Sequence, residues 1–206
     1  MAFSDFTLEL AGRSLGVTTR EADLFTDLAK AEVFGWLADL LGKRTQVALI
    51  SEKARSEFIV APILVASREL SPVPLAIFSG QRLDVDPSRG LVGECDFILA
   101  TAPPVLPLRS PIVTIVEARK NDIEGSLGQC VAEMVAARIF NEQTGDPTVR
   151  VHGCVTTGEA WQFLSLDERG EGVAIDRRRL YFDDVGGILA AFQAIVARSA
   201  GAASHS

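Results

Sequence analysis

Gly93-Glu94-Cys95-Asp96-Phe97-Ile98-Leu99-Ala100 and, after a proline-rich turn, Pro111-Ile112-Val113-Thr114-Ile115-Val116-Glu117-Ala118-Arg119-Lys120 decide the reading of this chain. Both are apolar runs of strand length rich in β-branched and aromatic residues, and turn residues bound them. An acid, Asp96, opens the first run; a second, Glu117, closes the next, and Arg119 follows two residues later. Alternate side chains of a strand share a face. Glu94, Asp96 and Ile98 are therefore expected on one face of their strand, with Cys95, Phe97 and Leu99 on the other. In the second strand Val113, Ile115, Glu117 and Arg119 share a face, while Thr114, Val116, Ala118 and Lys120 take the opposite one. If the strands are neighbours, Asp96 and Glu117 meet at one edge of a sheet. Paired carboxylates repel unless a positive charge intervenes, and a hard dication such as Mg²⁺ suits oxygen ligands.

Outward from this pair, Asp122 is placed to cap a long helix over 123–141, which carries Gly128-Gln129-Cys130 and Glu133. Residues 148–157 and 160–166 read as a hairpin about Thr157-Gly158-Glu159, residues 173–182 as a further strand, and 185–198 as a closing amphipathic helix. Upstream, residues 73–86 give a strand. Ser51 is a candidate N-cap for a helix carrying Glu52 and Glu57, with Pro62 implying a kink or local break. Thr18 with Glu21 offers a capping box, and Leu24, Phe25, Leu28, Val33, Phe34, Leu37 and Leu41 recur near helical spacing, so a helix is expected over 18–41. Residues 1–19 then form a short extended or irregular arm, 1–45 an N-terminal helical extension, and 199–206 a disordered tail. The predicted whole is one α/β domain over 1–206, a central mixed β-sheet flanked by helices with helical additions at both ends.

The chain has 206 residues, enough to bury a sizeable core. Its 48% hydrophobic and 23% charged residues are ordinary for a globular protein. A net charge of −7 argues against a generally basic nucleic-acid coat while leaving room for a local basic groove. The start carries no basic segment before an apolar stretch, and no run approaches the roughly 18 apolar residues of a membrane span. Three cysteines, Cys95, Cys130 and Cys154, lack zinc-like spacing and are expected as reduced thiols in a cytoplasmic protein. His152 is expected as a satisfied or partly exposed strand histidine, Trp161 and Phe163 as packing residues, and Arg177-Arg178-Arg179 as a solvated turn.

Together these residues resemble the PD-(D/E)XK nuclease superfamily, the restriction-endonuclease-like fold. The resemblance spans about residues 46–161. The helix from Ser51 with its acids, the aspartate strand at 93–99, Glu117-Ala118-Arg119 in place of Glu-x-Lys, and the helix with Gln129 and Glu133 stand in the superfamily's order. More narrowly, Ser56-Glu57-Phe58-Ile59, Cys95-Asp96-Phe97-Ile98 and Gly128-Gln129-Cys130 with Ala132-Glu133-Met134 resemble an uncharacterised bacterial group within it. The resemblance implies Mg²⁺- or Mn²⁺-dependent phosphodiester hydrolysis on DNA. Asp96, Glu117 and the Ala118 carbonyl would bind metal, Glu57 or Glu52 would assist from the helix, and Gln129 would orient water or phosphate. On an α-helix residues five apart diverge by roughly 140°, so the two glutamates are not expected to serve equally, and Glu57 is favoured. A homodimer is compatible with the resemblance. The departure is Arg119: lysine can lose its proton when desolvated, whereas arginine stays charged and clamps phosphate through its planar fork. The alternative expectation is a catalytically inactive nuclease-fold protein that binds nucleic acid or protein.

Overall fold

In the computed structural model, residues 1–103, 107–119, 121–146 and 149–203 are described. The elements are α1 (Leu8–Leu15), β1 (Thr18–Ala22), α2 (Gly35–Gly42), α3 (Glu52–Arg55), a π-helical stretch (Ser56–Val60), α4 (Ala61–Glu69), β2 (Ala76–Arg82), β3 (Glu94–Ala100), β4 (Ile112–Ala118), α5 (Leu127–Thr144), β5 (His152–Thr156), β6 (Ala160–Leu166), β7 (Gly172–Asp176), β8 (Leu180–Tyr181) and α6 (Val185–Ala203). The strands form one open eight-stranded sheet in the order β1-β7-β6-β5-β4-β3-β2, with β8 on the far end of β6. β1 with β7 and β4 with β5 are parallel pairs, and the rest are antiparallel. The protein is thus an α/β protein with a central mixed sheet flanked by helices.

Burial explains the middle strands. All seven residues of β4 are buried, as a near-continuous apolar run requires when helices cover both faces. On one face α1 and α5 pack with Phe3, Phe6, Ile98, Ile115 and Met134. On the other, α2, α4 and α6 pack with Leu37, Ile63, Phe97, Val116 and Phe192. The first eleven residues of α5, Leu127 to Ala137, are all buried, so this helix is enclosed by the sheet behind and the N-terminal segment in front. Gly128 makes that enclosure work: a Cβ there would lie 2.2 Å from the Thr7 carbonyl carbon.

The N-terminal third differs most from the sequence expectation. Residues 18–22 are a strand, not the start of a helix. Thr18 to Ala22 pair in parallel with Gly172 to Asp176, and the Thr18 N–H donates to Glu171 O at 2.7 Å. Two adjacent β-branched threonines at a free sheet edge gain more from that ladder than from a capping box. Helix resumes only at Gly35, and Phe25 lies between as an irregular-segment anchor packed edge-on against Phe163. The arm expected at 1–19 contains α1, capped by Thr7 Oγ1 accepting from Leu10 N–H and ended by Gly16 in the left-handed region. The span 1–45 therefore contributes an edge strand and core residues as well as helices, rather than a helical extension alone.

Smaller differences follow similar logic. The strand expected over 173–182 divides at Arg177-Arg178-Arg179. There the Gln162 side chain occupies the gap, donating to Asp176 O at 2.6 Å and accepting from Arg179 Nε at 3.0 Å. All three arginines are engaged: Arg177 pairs with Asp23, Arg178 donates to Phe25 O, and Arg179 pairs with Glu124. Arg177 and Arg178 are exposed in a bend, as expected of a solvated turn, but their side chains are engaged rather than free. The tail expected to be disordered from 199 is helical to Ala203; Ser199 is buried and its hydroxyl donates to Ile195 O. Residues 204–206 and Thr148 lie outside the described residues. His152 is not partly exposed: it is fully buried, with the backbone of Arg150 and Val113 as the polar groups near its ring. Among the described residues no helix is long and apolar enough to cross a membrane.

Candidate active site

At the end of the sheet where β4 and β5 finish and β3 begins, the backbone is pinned from both sides. The β3–β4 ladder runs from Ala100↔Ile112 to Phe97↔Val116 and then stops. Asp96 leaves the ladder, and its carboxylate Oδ2 takes the Ala118 N–H at 2.8 Å in place of a backbone acceptor. From the other side the Arg119 N–H donates to Thr156 O at 2.7 Å. Strict alternation fails at the same point: Cys95 packs with the α5-side cluster, whereas Phe97 and Leu99 pack on the opposite face. A strand that departs from its ladder is free to turn its side chains.

Glu117 faces α5. Gln129 Nε2 donates to Glu117 Oε1 at 2.8 Å and to Glu133 Oε1 at 2.9 Å, while Gln129 Oε1 accepts from Arg119 Nη2. Only this amide orientation serves all three neighbours, because its donor end meets two carboxyls and its acceptor end meets a cation. Arg119 also forms an ion pair with Glu117 through Nη2, and its Nη1 lies 3.7 Å from Glu52 Oε1. The expected shared face of Glu117 and Arg119 is thus realised as a direct contact. Lys120 lies outside the described residues.

Asp96 lines a cleft of about 310 Å³ whose walls also include Glu52, Lys53, Glu57, Glu94 and Ala118. Both helix glutamates line it despite the divergence an α-helix would impose. The helix widens over Ser56–Val60, where Ala61 N–H donates to Ser56 O across five residues. Pro62 follows at once; it has no N–H, and its ring crowds the carbonyl four residues back, so widening here relieves that clash. The sequence-based preference for Glu57 is not reflected in contacts. Glu52 reaches Arg119, while Glu57 pairs at 3.8 Å with Lys53, both largely exposed.

The electrostatics are dominated by burial. Glu117 and Glu133 are 1% and 0% exposed, and each has an Oε2 without a hydrogen-bond partner. Burial first, and then mutual repulsion for Glu117, push this pair well above the ordinary carboxylate range; Arg119 offsets part of that. The Asp96 carboxyl is also raised by burial, against the opposing pull of the Ala118 N–H and Arg119. Cys95 and Cys130 are buried, with thiols pushed far up by desolvation, so they remain protonated packing residues.

The donor chemistry suits a hard dication. Asp96, Glu117 and Glu52 are all oxygen donors, and the buried Glu117 Oε2 is an acceptor with nothing to accept from. The arrangement is held by Arg119 instead: among the described residues no three acidic, histidine or cysteine side chains are disposed as a metal-ligand group. Glu133 was part of the sequence pattern but carried no assigned role there. Its position four residues after Gln129, one helical turn on, is the signal that places it beside Glu117.

The chain matches no protein-family model, no curated protein and no solved structure.

Proposed function

We propose that this chain is a restriction-endonuclease-like protein of the cytoplasm, a Mg²⁺- or Mn²⁺-dependent phosphodiesterase acting on DNA. One observation carries the reading. Glu52 from α3 and Glu117 from β4 pair with the Arg119 guanidinium, and Asp96 from β3 accepts the adjacent Ala118 N–H, so that carboxylates from three separate elements lie at one sheet end beside an open cleft. Buried acids are costly unless something cationic uses them.

In this reading Asp96, Glu117 and the Ala118 carbonyl would hold the metal, which would supply an activated water and neutralise phosphate charge. Glu52 and Glu57 flank the cleft and position water from the helix side. Arg119 binds a non-bridging phosphate oxygen through its fork and, permanently charged, stabilises negative charge that builds on the phosphate. Gln129 holds Glu117 and Arg119 in register. The Ala118 N–H bond to Asp96 and the Arg119 N–H bond to Thr156 O fix the main chain of the segment.

The test is incubation of plasmid and single-stranded DNA with purified protein and Mn²⁺ or Mg²⁺. Metal-dependent cleavage lost in Glu117→Ala supports the reading; cleavage that persists in that variant sinks it. A second reading, a catalytically silent nuclease-fold module that binds nucleic acid or protein, is favoured by the threefold engagement of Arg119 by Glu117, Gln129 and Glu52. DNA binding that needs no metal and leads to no cleavage, unaltered in Glu117→Ala, would select it.

A further inference from the structure

We propose that Arg119 is a built-in counter-cation that must leave Glu117 before a divalent metal can use that carboxylate, and that a phosphodiester draws it away. Metal and phosphodiester then bind this site cooperatively. The inference rests on the metal-and-phosphodiester reading above and adds the coupling between the two ligands.

The guanidinium is paired directly with Glu117 and donates to Gln129 Oε1, so among the described residues the cation in contact with the buried acids is covalently part of the chain. It cannot be neutralised by losing a proton, as a lysine can. A dication brought to Glu117 would meet a fixed positive charge already on Oε1 of that carboxylate, and the two cations repel at this distance and compete for one carboxylate. The pairing also leaves the acids under-served. One guanidinium for Glu117 and Glu133 leaves the Oε2 of each buried without a partner.

Arg119 has somewhere to go. Its side chain is 26% exposed, and its Nη1 already points outward to Glu52, a loose 3.7 Å contact at the cleft wall. Movement toward the cleft costs one well-formed ion pair and one amide contact. A phosphodiester monoanion in the cleft would repay both with a bidentate, charge-assisted contact. Since one fork cannot clamp Glu117 and a phosphate at once, phosphate binding frees the carboxylate for metal. By linkage, metal binding must favour phosphate to the same degree.

The experiment is calorimetric titration of Mn²⁺ into the full chain, with and without excess dimethyl phosphate, a minimal phosphodiester. Arg119→Met and Asp96→Ala are titrated in parallel, each checked for folding by thermal unfolding. The expected result is Mn²⁺ affinity roughly tenfold or more tighter in Arg119→Met than in wild type, no binding in Asp96→Ala, and a several-fold gain in wild type with dimethyl phosphate that Arg119→Met does not show. Equal Mn²⁺ affinity in wild type and Arg119→Met, with binding lost in Asp96→Ala, overturns the exchange while the metal reading stands. Absence of Mn²⁺ binding in every folded protein, with or without dimethyl phosphate, overturns the metal reading and the exchange with it. If Arg119→Met does not fold, the wild-type titrations alone decide: an affinity that does not respond to dimethyl phosphate refutes the coupling.

Discussion

Strand β4 and helix α5 meet at two polar contacts, one at each end, and the two are built on opposite plans. At the start of the strand Asn141 closes the contact: its Oδ1 accepts the Ile112 N–H and its Nδ2 donates to Ile112 O, both at 2.8 Å, and the residue is 1% exposed. Donor meets acceptor twice, without net charge. At the other end Glu117, Glu133, Gln129 and Arg119 put two buried acids against one cation and leave two carboxylate oxygens without partners. The same strand and helix thus show what a polar contact built only for stability looks like. The Glu117 end departs from that pattern, with two buried acids set against one guanidinium. Natural sequences accept such local conflict chiefly at functional sites.

The largest expected contrast lies in activity. Glu117→Gln should reduce metal-dependent cleavage by on the order of 10³-fold or more and at the same time raise the thermal unfolding midpoint, because it removes a buried acid. A loss of activity accompanied by a loss of stability would assign Glu117 to the same plan as Asn141. Next is Asn141→Ala, which strands the N–H and carbonyl of Ile112 and should cost about 2–4 kcal/mol in urea unfolding. Cleavage per folded molecule should be unchanged, and a fall in it would show that the two ends are coupled.

His152, between these ends on β5, supplies a third expected outcome. Its imidazole is held neutral by burial, with a pKa lowered from 6.5 to about 3. The unfolded chain takes up a proton as pH falls through about 6.5, and the native state does not follow until about pH 3. Stability is therefore fully present above that window and is lost within it at up to about 1.4 kcal/mol per pH unit. Denaturation curves from pH 7 to 4 should show this acid limb, and His152→Leu should flatten it; an unaltered limb would move the effect to the carboxyls. The smallest effect is expected at the exposed Arg150–Glu168 pair, where Arg150→Ala should change stability by less than about 1 kcal/mol. A larger change there would mean that surface pairs, and not the buried contacts, govern the difference between the two ends.

Much of the middle of the chain was legible because its information is local. The apolar runs ending at Ala100 and Ala118, the hairpin turning at Gly158, and the helix after Asp122 all announce themselves within a few residues. Ser51 caps its helix as its position suggests, with Oγ accepting from Ala54 N–H at 3.0 Å. The failures are nonlocal. Thr18 to Ala22 become a strand because a partner about 150 residues later offers a sheet edge, and no window around Thr18 contains that fact. Helix α1 was locally marked, by Thr7 before it and Gly16 after it, and those two signals were there to be used. In the site, the residue types and the Glu117–Arg119 pairing followed from strand alternation. The Asp96 bond to Ala118 N–H did not, because it depends on β3 leaving its ladder. The near-equal access of Glu52 and Glu57 to the cleft did not either, because it depends on the π turn before Pro62.

The most direct test of the account is anomalous diffraction from crystals soaked in excess Mn²⁺ together with dimethyl phosphate. The account predicts a manganese peak bounded by Asp96, Glu117 and the Ala118 carbonyl, with the Arg119 guanidinium turned from Glu117 toward the phosphate. A saturated soak with no peak there, and Arg119 still paired to Glu117, would contradict it.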